Sequence, residues 1–285
     1  MEKVDQYKGY FLIIVSMLIW GSVGIFGRLT GQPSTVIVFY RVASAFVTLA
    51  LLWVLNGCSG LKEIRKNWKL ALASGVALGL NWYFFFAAIN KTTVANAVLS
   101  YYASPIIVTI LSPLLLKERL EKRTIMALSL GFLGIVVMMA GPGNQLGQGD
   151  WLGIGLGLLA AFFYALLTIM GKIIKLSARL LVLVQTGVSS LIFLPYVVGR
   201  PIPSGDSLLF LLIIGIVHTA LALTLYFEGI KWVKVQHVGI LSYLDPLSAI
   251  VFALLFLGEI PGIFSVFGGI LILLSSYLVV RRRKG

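Results

Sequence analysis

Few side chains in this sequence could do chemistry, and most of those that could are set in apolar runs. Asp245 lies in LSYLDPLSAIVF, His218 in LIIGIVHTALAL, Arg41 in VIVFYRVASAF and Glu228 in LTLYFEGIKWV. A carboxylate at the centre of a bilayer costs at least about 2.5–3.5 kcal/mol, so such a group is seldom kept there without a use. Asp245 could carry a proton, or it could form a structural hydrogen bond or an ion pair, with Arg41 as a candidate partner. His218 could accept protons or hydrogen-bond a substrate; a satisfied core histidine is the plainer alternative. Arg41 reads as a residue packed at a helix interface, with binding of a substrate anion as the other option. Glu228 stands beside Lys231 and Lys234, where an interfacial ion pair is favoured over a role in coupling, and His237 lies near the same end.

A polar-aromatic set accompanies these groups: Trp20, Asn81, Trp82, Tyr83, Tyr101, Tyr102, Tyr164 and Tyr243. Such side chains offer flat apolar surface with a hydrogen-bonding tip, which suits small amphipathic or aromatic substrates. Lipid-facing aromatic belts belong at the membrane interfaces rather than in mid-span. An amide facing lipid would be unsatisfied, so Asn81 is expected to point into a pocket. No HExxH, CxxC or paired-carboxylate cluster occurs, and no phosphate-binding Gly-rich loop is followed by Lys and Ser or Thr. Neither a metal site, a hydrolase, an ATP motor nor any cofactor is therefore expected.

The elements that must carry these residues are set by composition. Of 285 residues 59% are hydrophobic and 12% charged, with a mean hydropathy of +1.00. A soluble domain is nearer half apolar and a quarter charged, so the chain reads as an integral membrane protein. A helix needs about 20 mostly apolar residues to cross the bilayer core. Ten candidates follow, at 10–28, 34–56, 69–90, 94–116, 123–140, 152–173, 179–199, 207–230, 235–257 and 262–281. They are too long and too uniformly apolar for the alternating strands of a barrel. The first is read as a retained helix rather than a cleaved signal, since no clear small-residue cleavage site follows it. The lone Cys58 excludes an internal disulfide.

The net charge of +13 is placed in a telling way. With the N-terminus inside, nineteen Lys and Arg fall on that side, against Arg28, Lys91 and Arg200 on the other and Arg41 within a span. Lys and Arg are retained in cytoplasmic loops, so both ends are expected in the cytoplasm of a cell that carries the protein in its inner or plasma membrane. A ring of charge flanking the membrane also argues against nucleic acid as a partner.

The fourth and ninth spans share a phrase. Tyr102-Ala103-Ser104-Pro105 is echoed by Tyr243-Leu244-Asp245-Pro246, at an offset of 141, and Glu118 and Glu259 each follow their proline by thirteen residues. At the same offset Ile89 meets Ile230 and Val94 meets Val235; at 144, Gly9, Trp20, Gly27 and Arg28 meet Gly153, Tyr164, Gly171 and Lys172, while Arg41 meets Gln185. The repeat is five helices long, and because five is odd the second copy must enter the membrane from the opposite side. Residues 1–144 and 145–285 are thus expected to form two inverted five-helix repeats in an all-α membrane fold, the signature of secondary transporters. Each proline lies about 11 residues into its span, near the bilayer middle at ~1.5 Å per residue. A proline cannot donate its backbone hydrogen bond to the carbonyl four residues earlier, so the carbonyls of Tyr101 and Ser242 are candidates to be freed. Such backbone is tolerated only against protein or a wet cavity, which makes Pro105 and Pro246 expected hinges beside a central site.

The chain resembles the drug/metabolite transporter superfamily, in its EamA-type branch of two five-helix repeats. The resemblance is carried by Pro105 with Lys117-Glu118, Pro246 with Gly258-Glu259, Trp20-Gly21 and Arg41, and it covers almost the whole chain. It implies a cavity built by the first, third and fourth helices and their repeat mates, and export of amino acids, other metabolites or drugs, or carriage of sugars and their conjugates. The first repeat has Ser104 where the second has Asp245, so no role for Asp245 can be copied from the repeat.

These readings converge on a secondary exporter of small organic molecules, with amino acids and related metabolites favoured by the aromatic set. Sugars, nucleobases or drugs are the alternative cargo, moved by facilitated diffusion or with protons. A membrane enzyme would need an acid/base or metal set at one depth, which only Asp245 and His218 approach, and a channel would need a continuous polar stripe. The expected partners are a small-molecule substrate, the lipid bilayer and possible coupling protons. Small residues such as Gly153, Gly155 and Gly157 suit close helix contact within a monomer first, or a weak dimer second.

Overall fold

The computed structural model describes residues 2–92, 94–140, 151–258 and 260–280. Ten helical spans cross it: Val4–Gly27, Ser34–Leu55, Leu61–Ile89, Asn96–Leu116, Lys122–Met139, Trp151–Ile173, Ala178–Tyr196, Gly205–Ile230, Val235–Phe256 and Ile263–Val280. No strand occurs among the described residues. The boundary between residues 144 and 145, and Glu259, lie outside them.

Nine spans begin and end within a few residues of their expected limits, if the N-terminal extension of the first is set aside. The third is different, starting at Leu61 rather than at 69. Only Asn56–Gly60 is left as a turn, with Gly60 at φ +86° before the helix. The basic stretch Lys62-Glu63-Ile64-Arg65-Lys66 was expected to be loop, yet these unbranched charged residues are good helix formers. Asn67 fastens this extension by donating from Nδ2 to the Lys175 carbonyl at 3.4 Å.

Spans pack in a pattern that reads the same when the first five are exchanged for the last five. The fifth lies on the tenth, the second on the seventh and the fourth on the ninth. The third meets the sixth as the eighth meets the first, and the sixth meets the fourth as the first meets the ninth. Fifth and tenth approach so closely that a Cβ on Gly134 would lie 2.8 Å from the Gly268 carbonyl oxygen. The outside is apolar, with Leu55, Leu114, Leu191 and Phe256 exposed, while Ser74, Asn81, Thr168, Gln185, His218 and Gln236 are buried. An apolar surface of this extent with polar groups inside suits lipid rather than water. The molecule is a multi-pass membrane protein.

Four spans are irregular in their interior, the first of them at Ser22, between helices Glu2–Gly21 and Val23–Leu29. In the fourth, helix Val94–Tyr101 stops and Ser104–Leu116 begins; in the ninth, Val235–Leu241 stops and Leu244–Leu257 begins. Each is a two-residue break in α-helical bonding, with Ala103, Ser242 and Tyr243 still in the right-handed helical region. The eighth span holds a π-helical stretch, Ile216–Leu221. Thr219 Oγ1 donates to the Ile214 carbonyl, five residues back, at 3.1 Å, and so helps hold that wider turn. Such bulges gather at functional sites, and this one contains His218.

Candidate functional site

The two interruptions place the start of a half-helix at mid-depth in each half of the chain. Asp245 stands in the first turn of Leu244–Leu257, where the helix dipole favours a negative charge. Its repeat mate Ser104 opens Ser104–Leu116. The Ser242 carbonyl is not freed by Pro246, contrary to expectation, because the Asp245 N–H reaches it at 3.2 Å in a tighter turn. No corresponding backbone bond reaches the Tyr101 carbonyl among the described residues. Pro105 is buried against the first half of the ninth span, its Cα 3.2 Å from where a Cβ on Gly239 would lie.

Arg41 enters this region from the second span. Its Nε donates to Thr219 Oγ1 at 3.1 Å, and its Cζ lies 4.2 Å from the Trp82 ring centroid, a cation–π distance. It makes no ion pair with Asp245, although each lies within electrostatic reach of the other. The direct Arg41–Asp245 pair named as a candidate is thus not formed. The nearest donor to Asp245 is Tyr102 Oη, 3.5 Å from Oδ2 and at the limit of a hydrogen bond. Arg41, Tyr101 and Asp245 are each half-buried.

An aromatic chain extends from there. Tyr101 contacts Phe85, Tyr102 and Tyr164 at centroid distances of 4.8, 5.9 and 5.8 Å; Tyr164 leads to Tyr226 at 6.3 Å, and Tyr226 to Trp20 at 5.2 Å. Trp20 Nε1 donates to the His218 carbonyl at 2.8 Å, and His218 Nε2 lies 2.8 Å from Ser22 Oγ. Tyr243 is fully buried behind Tyr102, donating from Oη to the Tyr102 carbonyl at 3.4 Å. Asn81, 1% exposed, spends its amide on the Ala160 carbonyl at 2.8 Å. It therefore joins the third span to the sixth, which is also a satisfied way to bury an amide.

Of the expected residues, Trp20, Trp82, Tyr101, Tyr102, Tyr164, His218, Arg41 and Asp245 thus form one connected region, with Asn81 and Tyr243 behind it. Tyr83 faces outward, 41% exposed. Glu228 is remote, paired with Lys231 at 2.8 Å. It lines a separate cavity of about 480 Å³ between the second, seventh and eighth spans, with Trp53 and Arg179. His237 is held by Tyr10 Oη at 2.6 Å. Sequence reasoning missed Thr219, which orients Arg41, and Tyr226, whose hydroxyl lies 2.8 Å from Thr168 Oγ1. The spacing of His218, Ala222 and Tyr226, four residues each, was the available signal for a shared helix face.

The EamA-like transporter family model matches residues 7–140 and again 151–281. The chain belongs to that family. It is 29% identical over 280 residues to an uncharacterized transporter YxxF of Bacillus subtilis, covering 96% of this chain and 89% of that one. An uncharacterized transporter of Archaeoglobus fulgidus is 31% identical over 277 residues, covering 96% of each chain. Protein RarD of Salmonella typhi is 27% identical, covering 92% of this chain and 90% of its own. A solved crystal structure superposes with a TM-score of 0.84 at 18% identity, covering 95% of this chain and 96% of that one, and supports the ten-helix fold.

Proposed function

We propose that this membrane transporter of the EamA-like family is a secondary carrier that exports zwitterionic metabolites, amino acids above all, by alternating access. The observation that carries the cargo class is the unpaired state of Arg41 and Asp245. Opposite charges in a poorly solvated centre would ordinarily pair. Here both are half-buried and within electrostatic reach of one another, each held by neutral neighbours, so a ligand with a carboxylate and an ammonium could satisfy both at once. Trp82, Tyr101 and Tyr102 add apolar faces for the remainder of such a molecule.

The mechanism follows from treating residues 1–144 and 145–285 as inverted repeats that exchange conformations. The symmetric packing and the twofold match to the family model support that reading. Pro105 and Pro246 mark the places where the fourth and ninth spans bend, and the basic face is cytoplasmic in a plasma or inner membrane. Coupling to protons through Asp245 is a second reading, favoured by a carboxylate inside a span without a cation against it. The test is radiolabelled amino-acid counterflow into liposomes at equal pH, repeated with a pH gradient. Saturable counterflow supports the carrier, and sustained single-channel currents would refute it. Flux indifferent to the gradient removes the proton reading alone.

A further inference from the structure

Contacts that the two halves share, and one they do not, reveal a state-dependent closure. A Cβ on Gly9 would lie 2.9 Å from Val233 Cγ1, and a Cβ on Gly153 would lie 2.5 Å from Thr92 Cβ. Gly9 and Gly153 are 144 residues apart, Thr92 and Val233 141 apart, so one contact is made twice, once at each membrane face. The next equivalent contact is made once. A Cβ on Gly171 would lie 2.4 Å from the Phe227 ring, whereas Gly27, its mate 144 residues earlier, has nothing within 4 Å. The mate of Phe227 is Phe86, which does not reach Gly27. The bundle is thus shut around Gly171, at the basic face, and open around Gly27, at the other.

The shut end carries a polar clasp. Lys172 Nζ donates to the carbonyls of Ile230, Lys231 and Val233 at 2.8, 3.0 and 2.7 Å. Glu118 Oε1 accepts the Val235 N–H at 3.0 Å from the end of the fourth span. The short linker from the eighth to the ninth span is therefore gripped by a cation on one side and a carboxylate on the other. Glu118 Oε2 is buried without a partner, and Lys172 lies within electrostatic reach of Glu118. Charge-assisted bonds of this kind are about twice as strong as neutral ones, yet one oxygen left unsatisfied makes the grip releasable at modest cost. The side chain of Arg28, mate of Lys172, lies outside the described residues.

We infer that Lys172 and Glu118 are a latch that holds the basic face closed in this conformation, and that its release accompanies closure of Gly27 onto Phe86 at the opposite face. The inference rests on the alternating-access reading. It is tested in a Cys58→Ser background carrying Gly27→Cys and Phe86→Cys, by the yield of a short thiol cross-link in membranes. Lys172→Met and Glu118→Gln should each raise that yield about tenfold, the shift produced by removing roughly 1.4 kcal/mol from one state. Lys172→Arg, which keeps the charge, should stay within about twofold of the parent, a margin of roughly 0.4 kcal/mol. Size-exclusion profile and thermal midpoint check that each variant is folded, and either of the two charge-removing variants suffices. A cross-link that forms equally in all backgrounds overturns the latch and leaves alternating access standing. A cross-link that forms in none of them overturns both.

Discussion

Replacing Arg41 by Gln distinguishes a guanidinium that recognises cargo from one that merely packs. In the resting structure Arg41 gives one hydrogen bond, to Thr219 at 3.1 Å, and lies 4.2 Å from the Trp82 centroid, with no carboxylate against it. The remaining donors are free to take a substrate carboxylate, and a hydrogen bond to a charged group contributes about 1.5–3 kcal/mol. Losing it corresponds to roughly 10- to 150-fold weaker binding. The assay compares an amino acid that the purified protein binds with its methyl ester, by thermal shift or calorimetry. The parent should prefer the free acid by about one to two orders of magnitude, and Arg41→Gln should bind acid and ester alike. Arg41→Lys should fall between, because an ammonium keeps the charge and loses the planar fork. If Arg41→Gln retains the full preference for the acid, the guanidinium does not meet the carboxylate and the zwitterion argument fails.

Asp245→Asn should abolish discrimination between an amino acid and its deaminated analogue while leaving Arg41-dependent selectivity intact; unchanged discrimination would place the ammonium elsewhere. Pro246→Ala should add a backbone donor at the break, stiffen it and lower counterflow about tenfold or more, as a barrier increase of roughly 1.4 kcal/mol would, with the protein still monodisperse; normal flux would show that the break is not a moving part. Gly134→Leu should lower the thermal midpoint by several degrees, since overpacking at the fifth–tenth crossing costs about 1–3 kcal/mol, and an unaltered midpoint would contradict the backbone approach to Gly268. Lys234 hydrogen-bonds Glu121 and holds its carboxyl below the usual range, so this pair contributes above the unfolded carboxylate value of about 4.3 and is lost as pH falls through the lower folded value. Both partners are largely exposed, so Glu121→Gln should flatten the acid limb of stability by no more than about 0.5 kcal/mol, read from denaturation midpoints at pH 3–6.

Hydropathy made the ten spans legible because a helix in lipid must be apolar along its whole length. Charge was a poorer guide to where helices end: Lys62, Arg65 and Lys66 read as loop but extend the third span past the apolar boundary, where a helix can continue in water. Prolines announced the interruptions at Tyr102 and Ser242, yet could not show that the Asp245 N–H would take up the Ser242 carbonyl. The region holding Arg41, Trp82, Tyr101 and Asp245 was recognisable one residue at a time from polarity at depth. Its pairing was not, since whether two charges meet depends on distances between spans that no spacing within one span encodes. Thr219 and Tyr226 escaped notice for a related reason. A threonine and a tyrosine are unremarkable in composition, and beyond the four-residue spacing from His218 to Tyr226 their importance arises from the wide turn at Ile216–Leu221 and from neighbours more than 50 residues away.

That wide turn also gives the eighth span an unusual freedom of register. One surplus residue is accommodated between Gly215, where a Cβ would lie 1.7 Å from Ser44 Oγ, and Tyr226 in the aromatic chain. Rewinding that stretch as regular α-helix with every residue kept would lengthen the rod by only about 1.5 Å but swing everything beyond it through about 100°. Tyr226 would leave Trp20 and Tyr164, and Phe227 would leave Gly171. The upper and lower portions of this helix are therefore aimed independently, one portion at the second span and the other at the first and sixth, by a single inserted amino acid.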